Sequence, residues 1–149
     1  MYRSALIFFV LAFLTVPVVA QQSSGNTTAQ KLSPYASIPV EAAREQNPVR
    51  SSPESIARAK KWWHLDCTMC HGDSGDGKGD IAKDMKLNMA DFTNAQTLKD
   101  RTDGEIYYII KNGHNDMPAE GPRIKTEEGW DLVNYVRSLA KGKDADTKQ

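Results

Sequence analysis

The residues best suited to chemistry in this sequence are two cysteines and a histidine, Cys67, Cys70 and His71. The segment reads Cys-Thr-Met-Cys-His, the CxxCH signature for covalent attachment of a c-type haem. Two thiols one helical turn apart can add across the two vinyl groups of the porphyrin, and the adjacent imidazole can then bind the iron as its proximal ligand. The single copy of the motif predicts one covalently attached haem c, with Cys67, Cys70 and His71 as cofactor-binding residues.

Three other uses of the cysteine pair fit the pattern less well. A thioredoxin-like redox site expects a strand before the pair, whereas the stretch before Cys67 has a helical pattern. A structural zinc site needs four ligands, and the motif could be completed only by the distant His64 or His114. An isolated disulfide across so short a loop would stabilise the chain little.

Met117 is the candidate ligand for the opposite face of the haem. It lies in the loop Asn115-Asp116-Met117-Pro118, just past a predicted helix. Thioether ligation would fill the sixth position of the iron and raise its reduction potential. His114 is the strongest competitor, because bis-imidazole ligation would lower the potential relative to Met/His ligation while keeping an electron carrier. Weaker candidates are His64, Met69, Met85 and Met89.

Three helices are predicted to position these residues. They run from Ser52 to Cys67, from Thr102 to Gly113 and from Thr126 to Leu139. Ser52 can cap the first helix with Pro53 in its first turn, and the second opens on the capping-box pattern Thr102–Glu105. Thr126 is the predicted cap of the third helix. No segment has a convincing strand pattern, so we expect an all-α fold in which three main helices and their loops wrap around one haem.

The glycine-rich stretch from Gly72 to Asp80 suggests two further functions, which its spacing excludes. A phosphate-binding P-loop would need Ser or Thr where Gly79 follows Lys78. A calcium loop would need oxygen ligands where Gly75 and Gly77 stand. We interpret these glycines as allowing the backbone to pass close to a porphyrin.

Composition gives no support to a partner that is held by charge. Among 149 residues, 19 Lys and Arg balance 19 Asp and Glu. This gives no excess of positive charge for nucleic acid or for an anionic membrane surface. The length suits one compact domain. Apolar residues are sparse outside the first 20 positions, and a bound cofactor would complete so thin a core.

Taken in their order along the chain, these motifs resemble those of monohaem class I cytochromes c of the bacterial periplasmic type. The likeness runs from about Asn47-Pro48 to Leu139. It implies the cytochrome c fold, with the first and last helices in contact. It also implies thioether bonds at Cys67 and Cys70 and axial ligation of the iron by His71 and Met117. The departures from the usual pattern are Ala59 in place of a glycine, Lys78 and Asp80 in the glycine-rich loop, and Trp62 beside Trp63.

The resemblance implies an electron-transfer protein and not an enzyme. One electron would pass between the haem and redox protein partners such as a dehydrogenase, an oxidase or another cytochrome. A second hypothesis is a haem enzyme or ligand sensor in which Met117 leaves the iron open to peroxide, nitric oxide or carbon monoxide. A third is a colourless structural module closed by a disulfide between Cys67 and Cys70.

The chain is predicted to have five parts. Residues 1–20 combine Arg3, an apolar run and a small-residue exit at Ala20, which is typical of a cleaved secretory signal peptide. We therefore expect export, most simply to the periplasm, with no membrane span in the mature chain; an uncleaved segment 1–20 would tether it to the membrane. The remaining parts are a flexible polar leader (21–34), an extended proline-containing segment with one or two helical turns near Val40 (35–52), the cytochrome c domain (53–140) and a disordered tail (141–149).

Overall fold

The computed structural model describes the backbone of residues 38–146 and the side chains of residues 38–140. The predicted signal peptide (1–20) and leader (21–34) lie outside the described residues. The described part is helical, with one isolated bridge between His114 and Met117, which confirms the predicted all-α class. Its elements are α1 (Val40–Arg44), α2 (Pro53–Trp62), a π-helical segment (Trp63–Cys67), α3 (Thr68–His71), α4 (Asp80–Asp84), α5 (Asp103–Asn112) and α6 (Thr126–Asp146).

The helix that leads into the CxxCH motif begins as the sequence predicts. Ser52 caps α2 by accepting a hydrogen bond from the Ser55 backbone N–H at 3.2 Å, and Pro53 occupies the first helical position. The chain then passes through the π-helical segment, where the Thr68 N–H bonds to the Trp63 carbonyl five residues earlier. Such insertions widen the helix and are frequent at functional sites. The sequence pattern did not predict this segment.

The second predicted helix, α5, has the predicted ends. The Thr102 hydroxyl accepts from the Glu105 N–H at 3.1 Å, and the Glu105 carboxylate accepts from the Thr102 N–H at 2.8 Å. This reciprocal capping box satisfies two backbone donors that a helix start otherwise leaves open. Gly113 ends the helix with a φ of +76°.

Two predictions for the last helix need correction. Thr126 is the first residue of α6 and not its cap, because the Glu128 side chain accepts from the Lys125 N–H at 2.7 Å just before the helix. The backbone is also helical as far as Asp146, within the predicted disordered tail 141–149. Lys and Ala favour helix and no proline interrupts this stretch, so intrahelical hydrogen bonds can continue past Lys141.

The core forms where α2 packs against α6. Ala59 and Val133 are fully buried there, and the rings of Trp63 and Tyr135 lie 5.3 Å apart. This is the predicted contact between the first and last helices. Residues 130–136 are all buried, whereas the sequence predicted a single buried stripe. The difference arises because α6 is covered on more than one side.

The second side of α6 packs against α5. The rings of Tyr107 and Trp130 stack with centroids 3.9 Å apart and an interplanar angle of 6°. The short helices α1 and α4 complete the fold, and α1 packs against α5. Helix α1 matches the turns predicted near Val40, while α4 was not predicted.

Buried polar groups of α6 are paired with distant side chains. The fully buried Asp131 carboxylate accepts two hydrogen bonds from Arg58 in α2, at 2.7 and 2.8 Å. The Asn134 amide donates to the Val49 carbonyl and accepts from the Asn47 side chain at 2.9 Å. The two bonds of Asn134 join the proline-containing segment to the last helix, whereas those of Asp131 join α2 to it.

Residues 38–146 contain no helix that is both long enough and apolar enough to cross a membrane.

Candidate haem-binding site

A cavity of about 550 Å³ lies between the CxxCH segment and the loop that carries Met117. Its volume falls within the range of about 300–1,000 Å³ usual for cofactor and small-molecule sites. The four residues singled out from the sequence, Cys67, Cys70, His71 and Met117, all line it. The fold therefore brings two segments that are far apart in sequence to one site.

Cys67 and Cys70 do not form a disulfide with each other. Burial, with added repulsion from Glu120 and Asp66, raises the pKa of the Cys67 thiol to about 12. A redox-active CxxC pair needs a lowered thiol pKa, because the thiolate is the nucleophile. The electrostatics of Cys67 thus disfavour the thioredoxin-like alternative.

The His71 imidazole has the properties of a metal ligand. Burial lowers the pKa of His71 to about 4, so the ring is neutral near pH 7 and keeps a lone pair for a metal ion. Its Nδ1 is buried and has no hydrogen-bond partner among the described residues. A ring nitrogen left unsatisfied by the protein fits a site that a metal completes, so the residues fit an iron porphyrin.

Two aromatic rings hold the imidazole in place. Phe92 stacks on the His71 ring with centroids 5.1 Å apart, and Trp63 lies 5.7 Å away on a tilted plane. The Trp63 indole is itself fixed, because its Nε1 donates to the Asp73 carbonyl at 3.2 Å. The sequence did not predict the contact of Phe92 with His71, because Phe92 lies in an irregular stretch without helical periodicity.

A tight turn presents the candidate ligands on the other wall. The backbones of His114 and Met117 exchange two hydrogen bonds, of 3.0 and 2.9 Å, and Asn115 between them has a φ of +51°. Residues paired in this way carry their side chains on the same face. Both His114 and Met117 line the cavity, so the turn offers an imidazole and a thioether to one site.

The turn depends on Gly113. A Cβ atom at this position would lie 2.6 Å from the Met117 carbonyl oxygen, and the φ of +76° is one that side-chain-bearing residues rarely adopt. Gly113 therefore ends α5 and also allows the chain to fold back so that Met117 reaches the cavity.

Of the four weaker candidate ligands, three line the cavity and one does not. Met69, Met85 and Met89 line the cavity, and the first two are exposed as well. The exposed His64 is not a lining residue, and its Nδ1 lies 3.8 Å from Asp73. As for the zinc alternative, no three His, Cys, Asp or Glu side chains in the described part of the chain are grouped to hold a metal ion.

The glycine-rich loop crosses directly over α3. A Cβ atom at Gly79 would lie 2.3 Å from the Met69 carbonyl oxygen. Close approach to the backbone of the CxxCH segment is thus the reason for glycine at this position. Our interpretation from sequence considered the porphyrin alone.

A charged cluster on the cavity wall also escaped sequence analysis. Arg123 pairs with Asp66, next to Cys67, and with the buried Glu120. Asp66 and Arg123 are 57 positions apart, so no local pattern could have linked them.

Fold and site together define a c-type haem protein, with a CxxCH segment beside a cofactor-sized cavity in a helical domain. The model of the Cytochrome c family matches residues 56–140, and this chain belongs to that family. Membership confirms the resemblance read from the motifs and makes the chain an electron-transfer haem cytochrome with covalently bound haem c.

Similar proteins include two algal cytochromes. The chain is 32% identical to cytochrome c6 of Pyropia tenera over 83 residues. This match covers 56% of this chain and 91% of the relative. Cytochrome c6 of Pyropia yezoensis is also 32% identical over 83 residues, covering 56% of this chain and 70% of the relative.

A solved structure with a similar fold is a chain of the Kuenenia stuttgartiensis reducing HAO-like protein complex. The TM-score is 0.55 at 28% identity, over 62% of this chain. The match spans 46% of the other chain, less than half of its length.

Proposed function

We propose that this protein is a one-electron carrier with a single haem c. Thioether bonds to Cys67 and Cys70 would hold the haem, and His71 and Met117 would be the axial ligands of its iron. The observation that carries the proposal is that all four side chains line one cavity of about 550 Å³. The cytochrome c6 relatives support a carrier in preference to an enzyme.

The bound haem would supply a one-electron couple at its iron. The protein residues supply ligation and rigidity. His71 would bind the iron without first losing a proton, since burial lowers its pKa and keeps the ring neutral. Phe92 and Trp63 restrict the rotation of its ring. A fixed ligand changes little between two oxidation states, which suits electron transfer.

The partners we propose are redox proteins, such as a dehydrogenase, an oxidase or another cytochrome. Three apolar side chains that line the cavity are also exposed, namely Met69 (49%), Ile81 (38%) and Met85 (61%). A small apolar patch beside the cofactor suits the weak, transient contacts of electron-transfer complexes. The balanced charge of the chain argues against strong steering by either sign.

We propose that the protein acts after export, most simply in the periplasm. The support is the signal-peptide pattern of residues 1–20, with Arg3 before an apolar run that ends at Ala20. Sequencing the N-terminus of the purified protein tests this, since cleavage should leave Gln21 first.

An absorption spectrum tests the proposed ligation. The protein would be exported from a host that matures haem c, then measured oxidised and reduced, with and without carbon monoxide. We expect sharp c-type bands on reduction, a weak sulfur-to-iron band in the oxidised protein and no response to carbon monoxide. Ready carbon monoxide binding would favour the enzyme or sensor hypothesis, and a colourless protein would overturn the proposal.

A further inference from the structure

Three charged side chains connect the two walls of the cavity. The Arg123 Nη1 lies 3.0 Å from Oδ1 of Asp66, the residue before Cys67. The Arg123 Nη2 donates to Oε2 of Glu120, three residues after Met117. All three residues line the cavity. We call this arrangement the Asp66–Arg123–Glu120 bridge.

The burial of its members sets the bridge apart from an ordinary surface ion pair. The side chains of Glu120 and Asp66 are 8% and 20% exposed, whereas that of Arg123 is 50% exposed. One half-exposed guanidinium thus faces two largely buried carboxylates. Removing the cation would leave two like charges close together with little solvent, a costlier change than breaking an exposed pair.

The segment that carries Met117 is also held to α5 by backbone hydrogen bonds. We define the distal segment as residues 114–123, which include Met117. The Glu120 N–H bonds to the Ile110 carbonyl and the Gly121 N–H to the Lys111 carbonyl, both at 2.9 Å. These bonds fix the distal segment to α5. The contact of Arg123 with Asp66 ties it across the cavity to the π-helical segment.

Resting on the proposed function, we propose that Arg123 is a positioning residue that keeps Met117 over the iron by holding the distal segment against the π-helical segment. An exogenous ligand can bind the iron only while Met117 is displaced. Its apparent affinity therefore scales with the fraction of molecules whose distal segment has moved away. Loss of the bridge increases that fraction.

The test is cyanide binding to the oxidised holoprotein, followed through loss of the sulfur-to-iron band. We expect Arg123→Gln to raise the cyanide affinity at least fivefold, because loss of an exposed ion pair accounts for about two- to fivefold and this substitution also leaves two largely buried carboxylates without their cation. Asp66→Asn breaks the contact between the two walls but leaves Arg123 paired with Glu120, so it should give a smaller rise. Combining it with Arg123→Gln should add little, because both substitutions remove that contact between the walls. Arg123→Lys should show a smaller rise, since an ammonium cannot hold both carboxylates in the same fork.

Arg58→Gln is the matched control. Arg58 pairs with a buried carboxylate, Asp131, at the contact of α2 with α6, and neither residue lines the cavity. We expect this variant to lower the denaturation midpoint and leave the cyanide affinity unchanged. A rise in cyanide affinity that also occurred in Arg58→Gln would show that general loss of stability, and not loss of the bridge, causes the effect. This result would overturn the inference.

The two proposals fail in different ways. A wild-type spectrum with haem bands but no sulfur-to-iron band overturns His/Met ligation, and with it a role for Arg123 in retaining Met117. A normal wild-type band with wild-type cyanide affinity in Arg123→Gln overturns the bridge alone. If Arg123→Gln does not fold, wild-type affinity in both Arg123→Lys and Asp66→Asn overturns it as well.

Discussion

Replacing Trp63 with Phe should weaken both the core and the hold on His71. Trp63 is buried at the contact of α2 with α6, and its indole N–H donates to the Asp73 carbonyl at 3.2 Å. The substitution removes one hydrogen bond, with a net contribution of about 1 kcal/mol. It also removes on the order of 50 Å² of buried ring surface, worth about 1 kcal/mol in transfer plus a cavity term of similar size. The expected loss is about 2–3 kcal/mol.

The assay is guanidinium denaturation of the holoprotein, with Trp62→Phe as control. Trp62 is the adjacent indole but is only partly buried against the core, so we expect its replacement to cost less than about 1 kcal/mol. Trp63→Phe should lower the midpoint by on the order of 1 M with an unchanged slope. It should also shift the reduction potential more than Trp62→Phe does, because Trp63 lies 5.7 Å from the His71 ring.

Equal midpoint shifts in the two variants would refute this reasoning, since they would show that neither the burial of Trp63 nor its hydrogen bond distinguishes the two indoles. An unchanged reduction potential in Trp63→Phe, together with the expected loss of stability, would refute only the part that concerns His71.

Three further predictions concern the site. Met117→Ala should lose the sulfur-to-iron band, and its iron should become low-spin through His114, which lies on the same face of the turn. The additional substitution His114→Ala should then allow carbon monoxide to bind the reduced iron. Carbon monoxide binding to Met117→Ala alone would contradict a role for His114. Gly113→Ala should destabilise the protein by about 1–3 kcal/mol, because its Cβ would lie 2.6 Å from the Met117 carbonyl oxygen. Thermal unfolding measures this loss, and a parallel record of the sulfur-to-iron band shows whether Met117 stays bound. Cys67→Ser combined with Cys70→Ser should prevent covalent attachment, so that haem is extracted by acidified organic solvent, whereas it stays with the wild-type chain; retention of the haem in the double variant would refute thioether attachment.

The features that sequence predicts are those set by neighbours in the chain. Ser52 and Thr102 cap helices because a hydroxyl reaches an N–H three residues on, and Gly113 ends a helix because it tolerates a positive φ. The CxxCH motif is equally local. Thr126 shows the limit, since a longer side chain, Glu128, reached the backbone N–H before the helix.

The features that sequence missed depend on contacts between distant residues. Arg58 and Asp131 are 73 positions apart, and Arg123 and Asp66 are 57 positions apart. A single sequence shows each as an ordinary charged residue on a helix or in a loop. The π-helical segment was also missed, since its i→i+5 bonding replaces the α-helical pattern over only five residues, Trp63–Cys67.

Core and site are one structure in this domain. Leu132 and Val136 of α6 and Ile106 and Ile110 of α5 are buried core residues, and all four also line the cavity. If the cavity were left unfilled, these apolar side chains would lose packing partners on that side. The helices therefore depend on the haem for their packing while they position its ligands. Substitutions at these four residues should change folding stability and reduction potential together, because the same apolar atoms would contact both the helices and the porphyrin.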